Sequence, residues 1–324
     1  MPLQAEPEFR VDGRTEPPVY DETMLQTSPP SPRRGISRRR FLQTGALGTL
    51  GFAVYSGEIE RHWIEITRRQ AEIPGLPGDF DGLKVAQLSD IHMDDFTEPF
   101  FLRDAVRHIN HLNPDIIFLT GDYITNPFGH RYGIGRKFAV GAAWQCADIL
   151  RGLNCRRIYA VLGNHDIQVD AEQVTTALRD NGIIVLRNSY IPIERGNSRF
   201  WLAGLDDPVS GHPNPDLAIP VAIRSLAGEP VILLCHAPDY ASSLIAKPAG
   251  QAVSLMLSGH THGGQIRLPL IGPLVLPIGG KLYPEGPYRL SHMQLYVNRG
   301  LGTVGVPFRL DCPPEITLHT LRSV

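Results

Sequence analysis

The sequence predicts an α/β fold, and three observations carry that prediction. Short apolar runs alternate with helix-period segments across residues 83–186. That alternation then gives way to hairpin and strand signals, with no helices between the last of them. Five of the apolar runs end on side chains able to hold a metal.

A chain of 324 residues with 42% hydrophobic and 20% charged residues suits one large globular domain plus an extension. The net charge of -2 and the lack of a basic, aromatic-rich track give no reason to expect a nucleic acid partner. Cys146, Cys155, Cys235 and Cys312 form no C-x-x-C pair, so neither a zinc knuckle nor a disulfide framework is indicated, and small core residues are expected.

Residues 1–36 hold Pro17-Pro18, Pro29-Pro30 and Pro32 among few apolar side chains. That composition buries too little surface to offset the entropy of ordering, so a disordered tail is expected. Residues 37–57 follow, with Ser37-Arg38-Arg39-Arg40-Phe41-Leu42-Gln43 leading into a charge-free, Gly-rich run. This looks like a twin-arginine export signal, either cleaved or kept as a membrane anchor. It implies use of the export machinery and a place in the periplasm or cell envelope. Residues 58–324 read as the folded domain.

Within that domain, 63–67 is a strand and the Pro/Gly-rich 73–78 a loop. The apolar run 83–88 ends on Ser89-Asp90-Ile91-His92. Pro99 opens a helix with Leu102, Ala105, Val106, Ile109 and Leu112 on one face, stopped by Asn113-Pro114. The strand 116–119 ends on Thr120-Gly121-Asp122, a loop with His130 and Arg131 leads to a helix over 138–150, and the strand 158–162 ends on Gly163-Asn164-His165-Asp166. Asp170 as N-cap, with Gln173 three residues on, starts a helix that Asn181-Gly182 stops, and 183–186 is the next strand. Residues 190–193 and 200–205 flank the turn Gly196-Asn197 as a hairpin. A helix near 217–226 precedes the strand 231–234, which runs into Cys235-His236. The strand 253–257 runs into Gly259-His260-Thr261-His262, and 295–297 and 316–318 are the last strands.

In open α/β sheets the carboxyl ends of the strands share one edge, so side chains just beyond them converge. Asp90, His92, Asp122, Asn164, His165, His236, His260 and His262 all hold such positions. Singly, each fits an ordinary turn or a packed histidine; jointly they point to a metal site. His62, His108, His111, His130, His212, His292 and His319 are read as surface or structural.

The ordered set Asp90-x-His92, Gly121-Asp122, Gly163-Asn164-His165-Asp166, His236 and Gly259-His260-Thr261-His262 resembles the five-motif signature of the calcineurin-like metallophosphoesterases, over residues 83–265. His236-Ala237-Pro238-Asp239, Gly263-Gly264-Gln265 and Tyr296-Val297-Asn298-Arg299-Gly300-Leu301-Gly302 are similar to the bacterial YkuE/YaeI-like branch, which includes exported members. The resemblance implies two packed mixed β-sheets flanked by helices, a four-layer α/β/β/α sandwich. It implies that Asp90, His92 and His262 hold one ion, that Asn164, His236 and His260 hold a second, and that Asp122 bridges them. It places His165 over the phosphate as transition-state stabiliser or proton donor, with Asp166 positioned to orient and charge it. Two divalent ions so held can share and deprotonate a water and steady the charge of an in-line displacement.

Purple acid phosphatases carry a tyrosine three residues after the Gly-Asp aspartate, where this chain has Thr125. A divalent pair is therefore expected, manganese first, with iron, zinc or magnesium as alternatives. The activity expected is hydrolysis of phosphoesters, diesters ahead of monoesters. A non-catalytic metal-binding interaction protein of the cell envelope is the alternative. Residues 267–278 are strongly apolar and too Pro-rich for a helix. Packing between the two sheets is the first expectation for them, and a lipid-facing loop serving a phospholipid or lipid-linked substrate is the second.

Overall fold

The computed structural model describes residues 37–94, 96–127, 134–226 and 228–324. The tail expected over 1–36, and His130 and Arg131, lie outside them. Two six-stranded sheets pack face to face. The first has the order β1-β14-β2-β3-β4-β5, from Glu65–Ile73 (β1), Lys84–Leu88 (β2), Ile116–Leu119 (β3), Ile158–Ala160 (β4), Ile184–Val185 (β5) and Glu315–Ser323 (β14). Strands β2 to β5 are parallel; β14 is antiparallel to β2 and parallel to β1. The second has the order β12-β13-β9-β8-β7-β6, from Ser189–Arg195 (β6), Ser198–Gly204 (β7), Val231–Leu234 (β8), Val253–Ser258 (β9), Gly286–Leu290 (β12) and Met293–Val297 (β13). Its inner four strands are parallel and both edges antiparallel.

Side chains that alternate along a strand face two different neighbours, and the burial follows that rule. Ala86, Leu88, Ile117 and Leu119 face outward from the first sheet onto α2 (Pro99–Leu112), α3 (Ile134–Leu150) and α4 (Asn164–Asp180). Their neighbours Val85, Ile116 and Phe118 point inward to meet Phe200, Leu202 and Ile232 of the second sheet. Trp201, Val231 and Leu233 face outward from the second sheet onto α5 (Pro215–Ala218), α6 (Val221–Arg224) and α7 (Tyr240–Leu244). These are the four layers anticipated.

Several boundaries differ from expectation for identifiable reasons. Helix α4 begins at Asn164, because the Asp166 carboxylate accepts the Gly163 N–H at 2.9 Å and caps it. Asp170 interrupts the helix with φ -172° and ψ 92°, and its carboxylate accepts from Gln173 N at 3.2 Å; the predicted cap starts only the second half. Pro220 divides the helix expected near 217–226 into α5 and α6. The N-terminal α1 (Arg38–Val54) carries the arginine run in its first turn and has no buried residue, whereas Ser56, Gly57 and Glu60 just beyond it are buried. Among the described residues, no helix is long and apolar enough to cross a membrane.

The packing expected for 267–278 does not occur. Those residues form a short ribbon, β10 (Arg267–Leu268) with β11 (Gly272–Pro273), and an extended strap, with Leu270 fully exposed at the ribbon's tip. The space between the sheets is already filled by the cluster around Phe118 and Phe200.

One polar line does cross that apolar space. His319 of β14 donates from Nε2 to Gln87 Oε1 at 3.0 Å, and Gln87 Nε2 donates to Ser258 O at 2.9 Å and Thr120 Oγ1 at 3.3 Å. Burial pushes the His319 imidazole down to about 3. In the unfolded chain it titrates near 6.5, so between those values the unfolded state binds the extra proton. The stability owed to neutral His319 is complete above about pH 6.5 and is lost as pH falls toward 3, at up to about 1.4 kcal/mol per pH unit. His319→Gln should be less stable than the parent at pH 7.5 and approach it by pH 5 in urea melts. A gap that stays constant over that range would show that His319 is not the titrating group.

Candidate metal centre

The site is built where the carboxyl ends of β2, β3, β4, β8 and β9 meet. Asp90 and His92 follow β2, Asp122 follows β3, Asn164 and His165 open α4 after β4, His236 follows β8, and His260 and His262 follow β9. All are buried except His165, which is partly open. The chain reverses within single residues there: Asp90, His92, Asp122, His260 and His262 have φ between 49° and 73°. Left-handed conformations cost a non-glycine residue about 1 kcal/mol each, and they persist where surrounding contacts over-determine them. Those contacts are present. Asp90 N donates to Gly121 O at 2.9 Å, His92 N to Asp122 O at 3.1 Å, and His260 N to the Asp90 carboxylate at 2.9 Å. Gly163 and Gly259 give the carboxylates room, since a methyl on Gly163 would overlap Asp122 Oδ1 and one on Gly259 would overlap Asp90 Oδ2.

Candidate ligand atoms fall into groups whose members lie within 4.8 Å of one another: Asp90, His92 and His262; Asp122, His236 and His260; and His92, Asp122 and His165. Asp122 Oδ2 is 3.1 Å from His236 Nε2 and 3.5 Å from His92 Nε2, so one oxygen faces both imidazole sets. His262 Nε2 stands 3.1 Å from His92 Nε2 and 3.5 Å from Asp90 Oδ1. Asn164 Oδ1 and His236 Nε2 are buried without an aligned hydrogen-bond partner. Buried polar atoms left without a partner, beside carboxylates and imidazoles clustered within 4.8 Å of one another, fit divalent cations.

The second nitrogens of three rings fix which atom faces inward. His236 Nδ1 donates to Thr120 O at 2.7 Å, and His260 Nε2 donates to Ile278 O at 2.8 Å. His92 Nδ1 donates to Thr125 Oγ1 at 3.2 Å, whose own hydroxyl donates to Asp94 Oδ2 at 2.6 Å. Burial holds the His92 and His262 imidazoles well below their ordinary range, and His260 is lowered by the same cause. Burial alone would raise Asp122, but the imidazoles of His236, His165 and His92 outweigh it and keep the carboxylate ionised. Burial would likewise lower His236, yet Asp122, Asp90 and Asp207 hold it well above its usual value; a cation at Nε2 would displace that proton.

His165 accepts the backbone N–H of Asn126 on Nδ1 at 2.8 Å, which leaves the ring proton on Nε2. Asp166 does not orient it. Its carboxylate is occupied by backbone donors, Asp122 N at 2.8 Å and Gly163 N at 2.9 Å on Oδ2, and Tyr123 N at 2.9 Å on Oδ1. Asp166 therefore holds the Asp122 turn in place, and the expectation of a direct His165 partner is corrected to a positioning role. Arg309 went unnoticed in the sequence, where it is one basic residue in a loop. It is wholly buried and donates to the carbonyls of Arg299, Gly302 and Cys312 at 2.6–3.0 Å. The turn it braces presents Gly302 N to Asp90 O at 2.7 Å.

Beside the cluster lies a cavity of about 460 Å³, floored by Asp122, Asn164, His165, His260 and His262 and walled by Ile266, Leu274, Val275, Pro277, Val304 and Val306. The site thus offers hard and borderline ligands at its base and an apolar wall above them.

Comparison with known proteins agrees with this geometry. The uncharacterized metallophosphoesterase YkuE of Bacillus subtilis is 36% identical over 300 residues, 89% of this chain and 98% of its own. Phosphodiesterase YaeI of Escherichia coli is 32% identical over 292 residues, 88% of this chain and 99% of its own. The solved calcineurin-like phosphoesterase YfkN of Bacillus subtilis aligns with a TM-score of 0.43 at 13% identity, covering 68% of this chain and 81% of that one. The calcineurin-like phosphoesterase family matches residues 83–264, the stretch that supplies every residue of the cluster. On the family match over residues 83–264 and the two relatives YkuE and YaeI, the chain belongs to the calcineurin-like phosphoesterase family.

Proposed function

We propose that the protein is a dinuclear metal-dependent phosphodiesterase acting on a diester with an apolar substituent. One ion would rest on Asp90, His92 and His262, the other on Asn164, His236 and His260, with Asp122 between them. The observation that carries this reading is the position of Asp122 Oδ2, 3.1 Å from His236 Nε2 and 3.5 Å from His92 Nε2. Bound ions would supply a hydroxide at neutral pH and stabilise charge on the phosphoryl oxygens. His165, with its proton on Nε2 and its ring fixed by Asn126, is poised to donate to the leaving oxygen. The apolar wall of the cavity, which among the described residues carries no Lys or Arg side chain to meet a second phosphate charge, favours a diester with an acyl or other lipid-like arm over a free monoester.

The test compares bis-p-nitrophenyl phosphate with p-nitrophenyl phosphate after chelation and reconstitution with manganese, iron, zinc or magnesium. The expected result is metal-dependent hydrolysis of the diester at roughly tenfold or greater kcat/KM over the monoester, a barrier difference of about 1.4 kcal/mol. Two bound ions with neither substrate hydrolysed would instead support a metal-binding envelope protein.

A further inference from the structure

The strap between Arg267 and Lys281 is thirteen residues without a charged side chain or a side-chain hydrogen-bonding group, Leu268-Pro-Leu-Ile-Gly-Pro-Leu-Val-Leu-Pro-Ile-Gly-Gly280. A soluble surface scatters its exposed apolar residues singly, whereas a contiguous patch of large ones marks a place that meets another apolar phase. Here Leu270 is fully exposed at the tip of the β10-β11 ribbon, and Ile271, Val275 and Ile278 are 70%, 75% and 77% exposed.

The strap is held in this exposed form. Leu274 N donates to Ile266 O at 3.0 Å, Asp239 N to Gly279 O at 3.0 Å, and the Asp239 carboxylate accepts Lys281 N and Leu282 N at 2.8 and 2.9 Å. The same segment also borders the cavity: Leu274, Val275 and Pro277 line it together with His165, His260 and His262. One apolar surface therefore continues from the cluster to the protruding tip.

We propose that this strap inserts its tip into the surface of a lipid bilayer. Protein–protein interfaces combine an apolar centre with a hydrogen-bonding rim and are enriched in tyrosine, tryptophan and arginine; the strap has none of these. A projecting tip of leucine and isoleucine suits a fluid apolar medium, which needs no shaped counterpart. The charge that follows it is the exposed Lys281, of the sign that anionic headgroups attract, and Arg267 at the other end is paired with Glu285 at 2.8 Å. This deepens the proposed function, on which it rests only for its purpose: a substrate arm lying in the bilayer could enter the cavity along the strap without crossing water.

The test uses the full chain with Leu270→Trp, and as control Ile184→Trp, an exposed position on β5 of the other sheet. Each is mixed with phosphatidylcholine vesicles carrying brominated acyl chains, with and without phosphatidylglycerol. Relative to the parent, tryptophan at 270 should shift to the blue and be quenched several-fold more than tryptophan at 184, more strongly with the anionic lipid. Leu270→Asp/Ile271→Asp should retain metal content and hydrolysis of the soluble diester while losing hydrolysis of a vesicle-borne one. Equal quenching at both positions, or none at 270, overturns the proposal even if another part of the chain binds the vesicles. Concentration-dependent dimerisation that the double aspartate variant abolishes would assign the strap to a second copy of the chain. Because quenching does not read catalysis, an inactive protein whose residue 270 is quenched would fail the proposed function and not the docking.

Discussion

Asp122→Asn is expected to bring both bound ions below stoichiometry and to lower kcat on a diester by about four orders of magnitude or more, the scale of losing the activated water. The substitution keeps the shape of the side chain and so should not unfold the protein. It removes the negative charge that Oδ2 presents to His92 and His236 at once, and among the described residues of the cluster Asp122 is the carboxylate that faces both imidazole sets. Oδ1 also accepts the His165 backbone N–H at 2.9 Å, a bond that the amide oxygen of asparagine can keep. Metal analysis with a thermal melt checks this: two ions retained per chain at unchanged stability would remove Asp122 from the bridging position.

His165→Ala is expected to leave metal content intact and lower kcat by roughly 10²- to 10⁴-fold, the range of a single general acid or base. The loss should depend on the leaving group. A nitrophenolate departs without a proton, so His165→Ala should cost it least, and an alkoxide should show the full defect. His165 also lies within ligand distance of His92 and Asp122, and metal lost in parallel with activity would make it a ligand instead.

Much of this site was legible because its signals are residue types at strand ends. Asp90, His92, Asp122, His236, His260 and His262 each follow a short apolar run, and parallel strands bring such positions together whatever their separation in sequence. What the sequence hid acts through the backbone. Asp166 was read as the partner of the adjacent His165, but its oxygens take amides from Gly163, Asp122 and Tyr123, and any residue type could have supplied those. The carbonyls of Thr120 and Ile278 that set the His236 and His260 tautomers are equally silent. Thr125 drew notice only for not being tyrosine, and its hydrogen bond to His92 depends on Asp94 from another loop. The strap was expected inside the fold because its composition is that of a core segment; prolines and glycines at six of its thirteen positions after Arg267, and an inter-sheet space already full, left it outside.

The carbonyl of Ile278 belongs to that strap, yet it is the acceptor for His260 Nε2 at 2.8 Å. The orientation of the ring and the seating of the loop are thus one arrangement. If an ion is held at His260 and a ligand on the strap, any coupling through this hydrogen bond is reciprocal: what one does to the affinity of the other is returned by the same factor. Occupancy of a metal at His260 would then also report on what the loop touches.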